Sequence, residues 1–228
     1  MNEQNLNEHA VDRQRCSCSV MGFEDPRWVS TYYPVECPED WRVAYFCNDF
    51  HSVYLSAGDW VDKESLLDAM IEEIEPGFDL ILEWPAEMSL SQQQTLCARL
   101  APLEAYIACI VINPVGVSLT ALSEQLQLLT PLFPVNLEPL DNPQVTQLAQ
   151  VSAVGQVWHP GQDECPVSDC AYQVVSLPFS SLREITQVLK QLDQTLTGDQ
   201  RGGVFLASAP HSTQRALETR TVIELMGM

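Results

Sequence analysis

Positive charge is scarce in this chain. Its 228 residues include 11 Lys and Arg against 31 Asp and Glu, which gives a formal net charge of −20. Such a surface repels the phosphate backbone of nucleic acids, so we predict no nucleic-acid partner. Long apolar runs are also lacking, because no stretch reaches the roughly 18 residues that a membrane span needs. We therefore predict no membrane partner either.

Several motifs of common enzymes are absent as well. The sequence has no G-x-G-x-x-G loop and no G-x-x-x-x-G-K-[ST] loop, so nucleotide binding of those two types is unsupported. It also lacks the G-x-S-x-G elbow that presents a nucleophilic serine in many hydrolases. We accordingly predict no cofactor.

The first residues, MNEQNLNEHAVDRQR, are polar and lack the apolar core of a signal peptide. They predict a disordered polar leader over residues 1–15 and a cytoplasmic protein. In that compartment the eight cysteines should be mostly reduced thiols. None of their pairs has the C-x-x-C spacing of a zinc knuckle, so no metal is predicted. A site that combines His159 with four of the cysteines stays open as a minor alternative: Cys16, Cys18, Cys165 and Cys170.

Short apolar runs rich in β-branched residues recur along the rest of the chain, and most are separated by helical patterns. Continuous apolar runs are typical of parallel strands that are buried on both faces. The predicted strands cover residues 16–22, 52–57, 79–84, 106–113, 134–139, 155–160, 172–177 and 203–209.

Helical periodicity fills most of the intervals. Two helices open with capping boxes, one at Ser91 and Gln94 and the other at Ser181 and Glu184. Residues 142–150 allow at most a short helix, and residues 160–171 read as a loop. Eight strands with helices between them predict one α/β domain over residues 16–228. We expect a compact (β/α)8 barrel of the TIM type, complete or degenerate, with parallel strands and outer helices. An open doubly wound sheet is the rival architecture.

In such a barrel the functional side chains lie at the carboxyl ends of the strands. Glu83 and Glu138 end the third and fifth strands and could act as general acid and base, with His159 as a further base. These three are the predicted catalytic residues. Trp84 and Asn113 also end strands, and we predict that they contact substrate. The simpler alternative is that the carboxylates bind backbone amides or arginines and that His159 caps a loop.

Aromatic residues are few, but they cluster between residues 28 and 54. Most of the cluster is expected in the core, including Trp41, Tyr45 and Phe50 of the helix that precedes the second strand. Trp28 and Tyr33 belong to the long link after the first strand, which lies at the active-site face of a barrel. We predict that these two residues line a substrate pocket.

The same stretch resembles a known family. Gly22 and Trp28 are followed by Tyr32-Tyr33-Pro34, Tyr45, Phe50 and Val53, a frame similar to the start of the domain of unknown function 72 family of TIM-barrel-like bacterial proteins. EPGFDLILEW resembles the family's third strand, PVNLEP its fifth strand, and GGVFLASAPHSTQRALETRTVIELMG its closing strand and helix. The resemblance implies a barrel fold and a divergent, compact member.

The polar positions of the family depart from this frame. Tyr54 and Ser56 stand where the family has Glu and Asn, Asp59-Trp60 replaces a Phe-Tyr pair, and Glu83 replaces a Lys. Of the family's Glu-x-Arg-His on strand five only Glu138 keeps its type. The resemblance therefore implies a binding or interaction protein that has lost most of the family's polar site, with an unknown small molecule or protein as partner. The alternative is a small-molecule enzyme of hydrolase or lyase type, so the residues leave catalysis undecided.

Overall fold

A computed structural model describes residues 14–85, 87–162, 164–178 and 180–228. The predicted leader, residues 1–15, lies almost wholly outside these residues. The described chain forms eight strands in the order that the sequence predicts. They are β1 (Cys16–Val20), β2 (Ser52–Leu55), β3 (Asp79–Trp84), β4 (Ile107–Ile112), β5 (Val135–Leu137), β6 (Gly155–Gln156), β7 (Tyr172–Leu177) and β8 (Arg201–Leu206).

Helices occupy most of the connections between strands. They are α1 (Pro26–Tyr32), α2 (Arg42–Asp49), α3 (Ala57–Trp60), α4 (Glu64–Glu73), α5 (Leu90–Leu100), α6 (Leu119–Leu129), α7 (Pro143–Val151), α8 (Leu182–Thr195) and α9 (Ser212–Met226). Short 3-10 helices at Glu39–Trp41 and Ala101–Leu103 flank two of them. The described helices include none with the length and apolar character that a membrane crossing requires.

All strand pairs are parallel, as the apolar runs predicted. The strands form a three-stranded sheet in the order β1-β8-β7 and a five-stranded sheet in the order β2-β3-β4-β5-β6. Isolated parallel bridges connect the two sheets on both sides. One bridge pairs Met21 with Tyr54 and the other pairs Trp158 with Val175. The structure thus confirms an α/β fold with parallel sheets.

Side chains alternate between two cores because successive residues of a strand face opposite sides. The larger cluster lies between strands and helices and includes Val53, Leu80 and Leu82. The smaller cluster is formed by residues in or directly beside the strands, namely Tyr54, Ile81, Cys109, Val111, Val157, Tyr172, Val174 and Phe205. At the carboxyl ends of the strands, residues on the same face as the smaller cluster therefore lie together at one end of the sheets.

Three local predictions need correction. The capping box of α5 is formed by Ser89 and Gln92, and it lies two residues before the predicted pair Ser91 and Gln94. The long link after β1, in which no helix was predicted, contains the helix α1, which starts from the side-chain cap of Asp25. Trp41 is 67% exposed and lies outside the core. The predicted box at Ser181 and Glu184 is confirmed, and so is the loop over the described part of residues 160–171.

Candidate functional site

A cavity of about 660 Å³ opens at the carboxyl ends of the strands. We call it the mouth cavity. Residues that directly follow or end β1, β2, β3, β5 and β8 contribute to it, together with residues of the links to α1 and α4. Its lining consists of Met21, Gly22, Glu24, Asp25, Pro26, Arg27, Tyr54, Ser56, Asp59, Lys63, Glu83, Glu138, Ala207 and Ser208.

Glu83 is the third-strand carboxylate of this cavity. It follows Ile81 of the inner cluster by two residues and therefore faces the same side. Its Oε2 accepts a hydrogen bond of 3.1 Å from the backbone amide of Ala57, the first residue of α3. The indole of Trp60 in that helix donates to the backbone carbonyl of Glu83 at 3.1 Å. The short helix after β2 thus holds Glu83 in position.

Glu138 comes directly after β5, and its backbone amide donates to the carbonyl of Ile112 at 2.9 Å. His159 lies beside it, with Nε2 at 2.7 Å from the Glu138 carboxylate. Both side chains are half-buried, with 21% of Glu138 and 24% of His159 exposed. The backbone before His159 is fixed by hydrogen bonds between Trp158 and β7. The structure therefore joins two of the predicted catalytic residues in one contact.

The third predicted catalytic residue shares the cavity with Glu138. Both Glu83 and Glu138 line it, and Tyr54 lies near both of them. Burial is the main cause that raises the pKa of the Tyr54 hydroxyl well above its usual range, and the negative charges of Glu83 and Glu138 add to it. Tyr54 is therefore a neutral hydrogen-bonding group between two carboxylates.

The other charged residues of the lining have partners. Arg27 contacts Asp25 at 2.6 Å, and its hydrogen bonds hold the pKa of that carboxyl well below the usual range. Lys63 contacts Glu24 at 3.0 Å. Asp59 accepts from the Ser56 hydroxyl at 2.6 Å and completes the capping box of α3. Among the described residues of the lining, negative charge without a basic partner therefore lies at Glu83 and Asp59, and Glu138 has its histidine as partner.

The aromatic residues predicted to contact substrate lie in the core. Trp28 and Trp84 are at most 1% exposed, and Tyr33 is 6% exposed, with its hydroxyl donating to the carbonyl of Phe23 at 2.8 Å. Trp84 follows Glu83 by one residue, so it faces the outer helices, where its indole contacts Gln93 of α5 at 3.4 Å. Not one of these three residues is part of the mouth-cavity lining.

Asn113, the fourth predicted contact residue, directly follows β4 and is half-buried. Its side-chain oxygen accepts from the backbone amide of Val115 at 3.1 Å, and it lies outside the lining of the mouth cavity. A substrate-binding role stays a prediction for Asn113 and for the three aromatic residues.

Four lining residues escaped the sequence reasoning, namely Glu24, Asp25, Arg27 and Lys63. They belong to links and to a helix start, and not to strand ends. The Asp25-Pro26 pair is the signal that could have revealed them. Asp at a helix N-cap followed by Pro at the first helical position is typical of a helix start, so the pair could have indicated a helix in the link after β1, although it gives no signal for Lys63.

The cysteines of the alternative metal set are dispersed. Cys16 and Cys18 are buried beneath the helices, and burial raises the pKa of the Cys16 thiol to about 12. Cys165 contacts the Thr195 hydroxyl at 3.5 Å, and the Cys170 thiol lies beside Asn136. Among the residues that the structure describes, no group of three or more His, Cys, Asp or Glu is arranged to hold a metal ion.

The fold and this site define a class of α/β protein with parallel strands and a polar cavity at their carboxyl ends. Its fold is similar to that of a DUF72 (domain of unknown function 72) family protein from Enterococcus faecalis. The TM-score is 0.65 at 11% identity, over 94% of this chain and 98% of that one. A Leishmania donovani OMP decarboxylase aligns with a TM-score of 0.49 at 15% identity, over 94% of this chain and 91% of that one. No family model and no curated protein matches the sequence.

The first of these likenesses agrees with the resemblance in the sequence. The frame from Gly22 to Val53 and the closing strand and helix indicated the domain of unknown function 72 family. The fold of the chain is similar to that of one protein of this family over nearly the full length of both proteins. At 11% identity the likeness concerns the fold, and it transfers no site residue.

Proposed function

We propose that the protein binds a small polar molecule in the mouth cavity. The observation behind this proposal is that Glu83 and Glu138, from different strands, line one cavity of about 660 Å³. A volume of this order suits a small organic ligand. Carboxylates, the Tyr54 hydroxyl and the Ser56 hydroxyl provide mostly hydrogen-bond acceptors. The ligand is therefore a molecule rich in hydroxyl or amino groups.

The protein is, in this proposal, a divergent member of the domain of unknown function 72 family, and its eight strands form one closed barrel of the TIM type. Two parallel bridges, Met21 with Tyr54 and Trp158 with Val175, support closure on both sides. The pairing of β1 with β8 also favours a barrel over an open doubly wound sheet, in which the first and last strands need not meet. All eight cysteines are free thiols, which supports a cytoplasmic location.

The residue types that line the mouth cavity favour ligand binding over the family's own chemistry. Tyr54 and Ser56 stand at the positions where the family that the sequence resembles has Glu and Asn. Both residues line the mouth cavity. Asp59 and Glu83 likewise stand at positions where the family has other residue types. A site that differs at most of its polar positions binds a different molecule or performs a different reaction.

Catalysis is the second candidate, and the contact of 2.7 Å between His159 and Glu138 favours it. A carboxylate that accepts from one ring nitrogen of a histidine fixes the tautomer and leaves the other nitrogen available as a base. An enzyme of hydrolase or lyase type could use this pair, with Glu83 as the acid. This function would be established if the wild type turns over a bound compound and His159→Gln still binds that compound but no longer turns it over.

A thermal-shift screen tests the binding proposal. We expect some members of a panel of polyols, sugars and small amines to raise the melting temperature of the wild-type protein, because a ligand at 100 times its Kd adds about 2.7 kcal/mol of stability. The double variant Glu83→Gln and Glu138→Gln should lose the shift. Glu75→Gln, the same change at an exposed residue of a different cavity, is the matched control. Equal shifts in the double variant and the wild type would refute the proposal.

A further inference from the structure

A groove with a volume of about 460 Å³ lies on the surface between α1 and α2, away from the mouth cavity. We call it the Trp41 groove. Its lining includes Pro34, Val35, Glu36, Pro38, Trp41 and Tyr45. Two of its apolar side chains are strongly exposed, Val35 at 93% and Trp41 at 67%. Exposed apolar patches with a polar rim are typical of interaction sites on proteins.

Trp41 differs from the other tryptophans of the chain. Trp28, Trp60, Trp84 and Trp158 are at most 2% exposed. Trp41 ends the 3-10 helix that leads into α2, and its large aromatic surface faces solvent. Burial of an aromatic side chain of this size on binding contributes more than burial of most other residues, and tryptophan is accordingly enriched where interfaces bind most strongly.

Aromatic packing and a hydrogen-bonded turn form the walls of the groove. Tyr45 forms part of its wall and packs against the buried ring of Tyr33, with ring centroids 5.6 Å apart. The edge of the groove is a turn closed by a hydrogen bond of 3.0 Å from the Cys37 amide to the Pro34 carbonyl. Glu36 in this turn has a φ of 69°, which is a left-handed conformation that side chains other than glycine rarely adopt. The turn thus presents Val35 and Glu36 to solvent at the cost of backbone strain.

The charge beside the groove is negative. Glu36, Glu39 and Asp40 lie within six residues of one another, and Arg42 is the single basic residue between positions 34 and 48. The Arg42 guanidinium lies 3.9 Å from Glu39 and over the ring of Tyr33. Within the described parts of the chain, Glu36 and Asp40 form no ion pair. The excess negative charge therefore borders the exposed aromatic surface.

We propose that the Trp41 groove binds an extended basic segment of a partner protein. An arginine or lysine of that segment stacks on Trp41, and apolar side chains fill the space beside Val35 and Pro38. The acidic rim attracts a cationic chain and repels a second copy of this protein, whose net charge is also −20. Residues 1–13 of the chain itself contain three acidic side chains and one arginine, so they are a poor electrostatic match.

Fluorescence quenching provides the test, because Trp41 is the one tryptophan of the five that a quencher such as acrylamide reaches readily. The probe is a synthetic peptide of alternating arginine and leucine, and its counterpart has glutamate in place of arginine. We expect the basic peptide to protect Trp41 from acrylamide and the acidic peptide to have no effect. Glu36→Gln combined with Asp40→Asn should weaken binding of the basic peptide about tenfold, and added salt should weaken it further.

Matched variants separate this proposal from the function proposed for the mouth cavity. The double variant Glu83→Gln and Glu138→Gln should bind the basic peptide as the wild type does. Equal protection by both peptides, or no protection by the basic one at low salt, would overturn the proposal. Shielding of Trp41 that grows with protein concentration would indicate a second copy in the groove and would also overturn the proposal. The same holds for shielding that disappears when residues 1–13 are deleted, because that would indicate the chain's own segment.

Discussion

Gly203 has no side chain at a point where two large residues meet. A Cβ atom at this position would lie 2.4 Å from the Tyr172 hydroxyl and 2.6 Å from the ring of Phe205. Both neighbours are buried, and the Tyr172 hydroxyl is hydrogen-bonded to Ser17 at 3.0 Å and to Asp79 at 3.2 Å. The missing side chain at Gly203 therefore leaves the space in which Tyr172 and Phe205 of the inner cluster pack.

We predict that Gly203→Ala lowers the free energy of unfolding by about 1–3 kcal/mol, because the added methyl group forces buried side chains out of their positions. Urea unfolding followed by circular dichroism measures the change. Gly58→Ala is the matched control. A Cβ atom at this exposed position of α3 would have its nearest neighbour, the Ser56 hydroxyl, at 4.0 Å, and alanine stabilises a helix relative to glycine. An unchanged midpoint in Gly203→Ala would show that this packing is loose.

At the scale of single residues, strand periodicity determines which side chains can meet. Glu83 and Glu138 were predicted to share a site because both end strands, and both line the mouth cavity. Trp84 is a neighbour of Glu83 in sequence but faces the opposite side, so position at a strand end did not predict its direction. The exposure of Trp41 could not be predicted either, because helical periodicity does not show which helix faces remain uncovered.

Element boundaries depend on hydrogen bonds that several serines could make. The sequence SLSQQQ offers Ser89 with Gln92 and Ser91 with Gln94 at the same spacing. In the structure Ser89 is the cap, and its backbone amide donates to Gln92 at 3.0 Å. The pattern alone leaves the two registers equivalent.

We predict that Ser89→Ala lowers the free energy of unfolding by about 1 kcal/mol, because the first amides of α5 lose their side-chain acceptor. Ser91→Ala lies two residues further on and should cost clearly less. Thermal or urea unfolding of both variants checks the prediction. A larger loss in Ser91→Ala than in Ser89→Ala would move the start of α5 to the position that the sequence first suggested.

The strands could be predicted from short continuous apolar runs, and the long helices from apolar patterns that repeat over several turns. The short helices α1 and α3 could not, since seven and four residues contain too little periodicity. These two short helices nevertheless shape the site. Asp25 and Arg27 at the start of α1 line the mouth cavity, and the first amide of α3 holds Glu83. What sequence reasoning missed is therefore concentrated in the links that surround the cavity.

At the scale of the whole molecule, a buried polar network connects the two sheets at the amino ends of their strands. Arg201 of β8 forms an ion pair with Asp79 of β3, and only 4% of the Asp79 side chain is exposed. The Arg201 guanidinium also lies over the ring of Tyr172. Tyr172 in β7 and Ser17 in β1 extend the network across the three-stranded sheet. The network joins strands that are distant in sequence.

We predict that Arg201→Ala lowers the free energy of unfolding by about 3 kcal/mol, since it removes the cation beside a buried carboxylate. Asp193→Ala is the control, because it breaks an ion pair with Arg15 whose side chains are far more exposed than Asp79, at 45% for Asp193 and 37% for Arg15. This control should change stability by less than about 1 kcal/mol. Similar losses in the two variants would mean that the network contributes little to joining the sheets.

Glu83 and Glu138 at the mouth of the strands are proposed to bind one ligand together. Calorimetric titration tests this most directly. The compound that stabilises the wild type most in the thermal screen is titrated into wild type, Glu83→Gln, Glu138→Gln and Glu75→Gln. We predict that each mouth variant raises the Kd about tenfold or more, a loss of about 1.4 kcal/mol, while Glu75→Gln binds as the wild type does. Wild-type affinity in both mouth variants would contradict the claim.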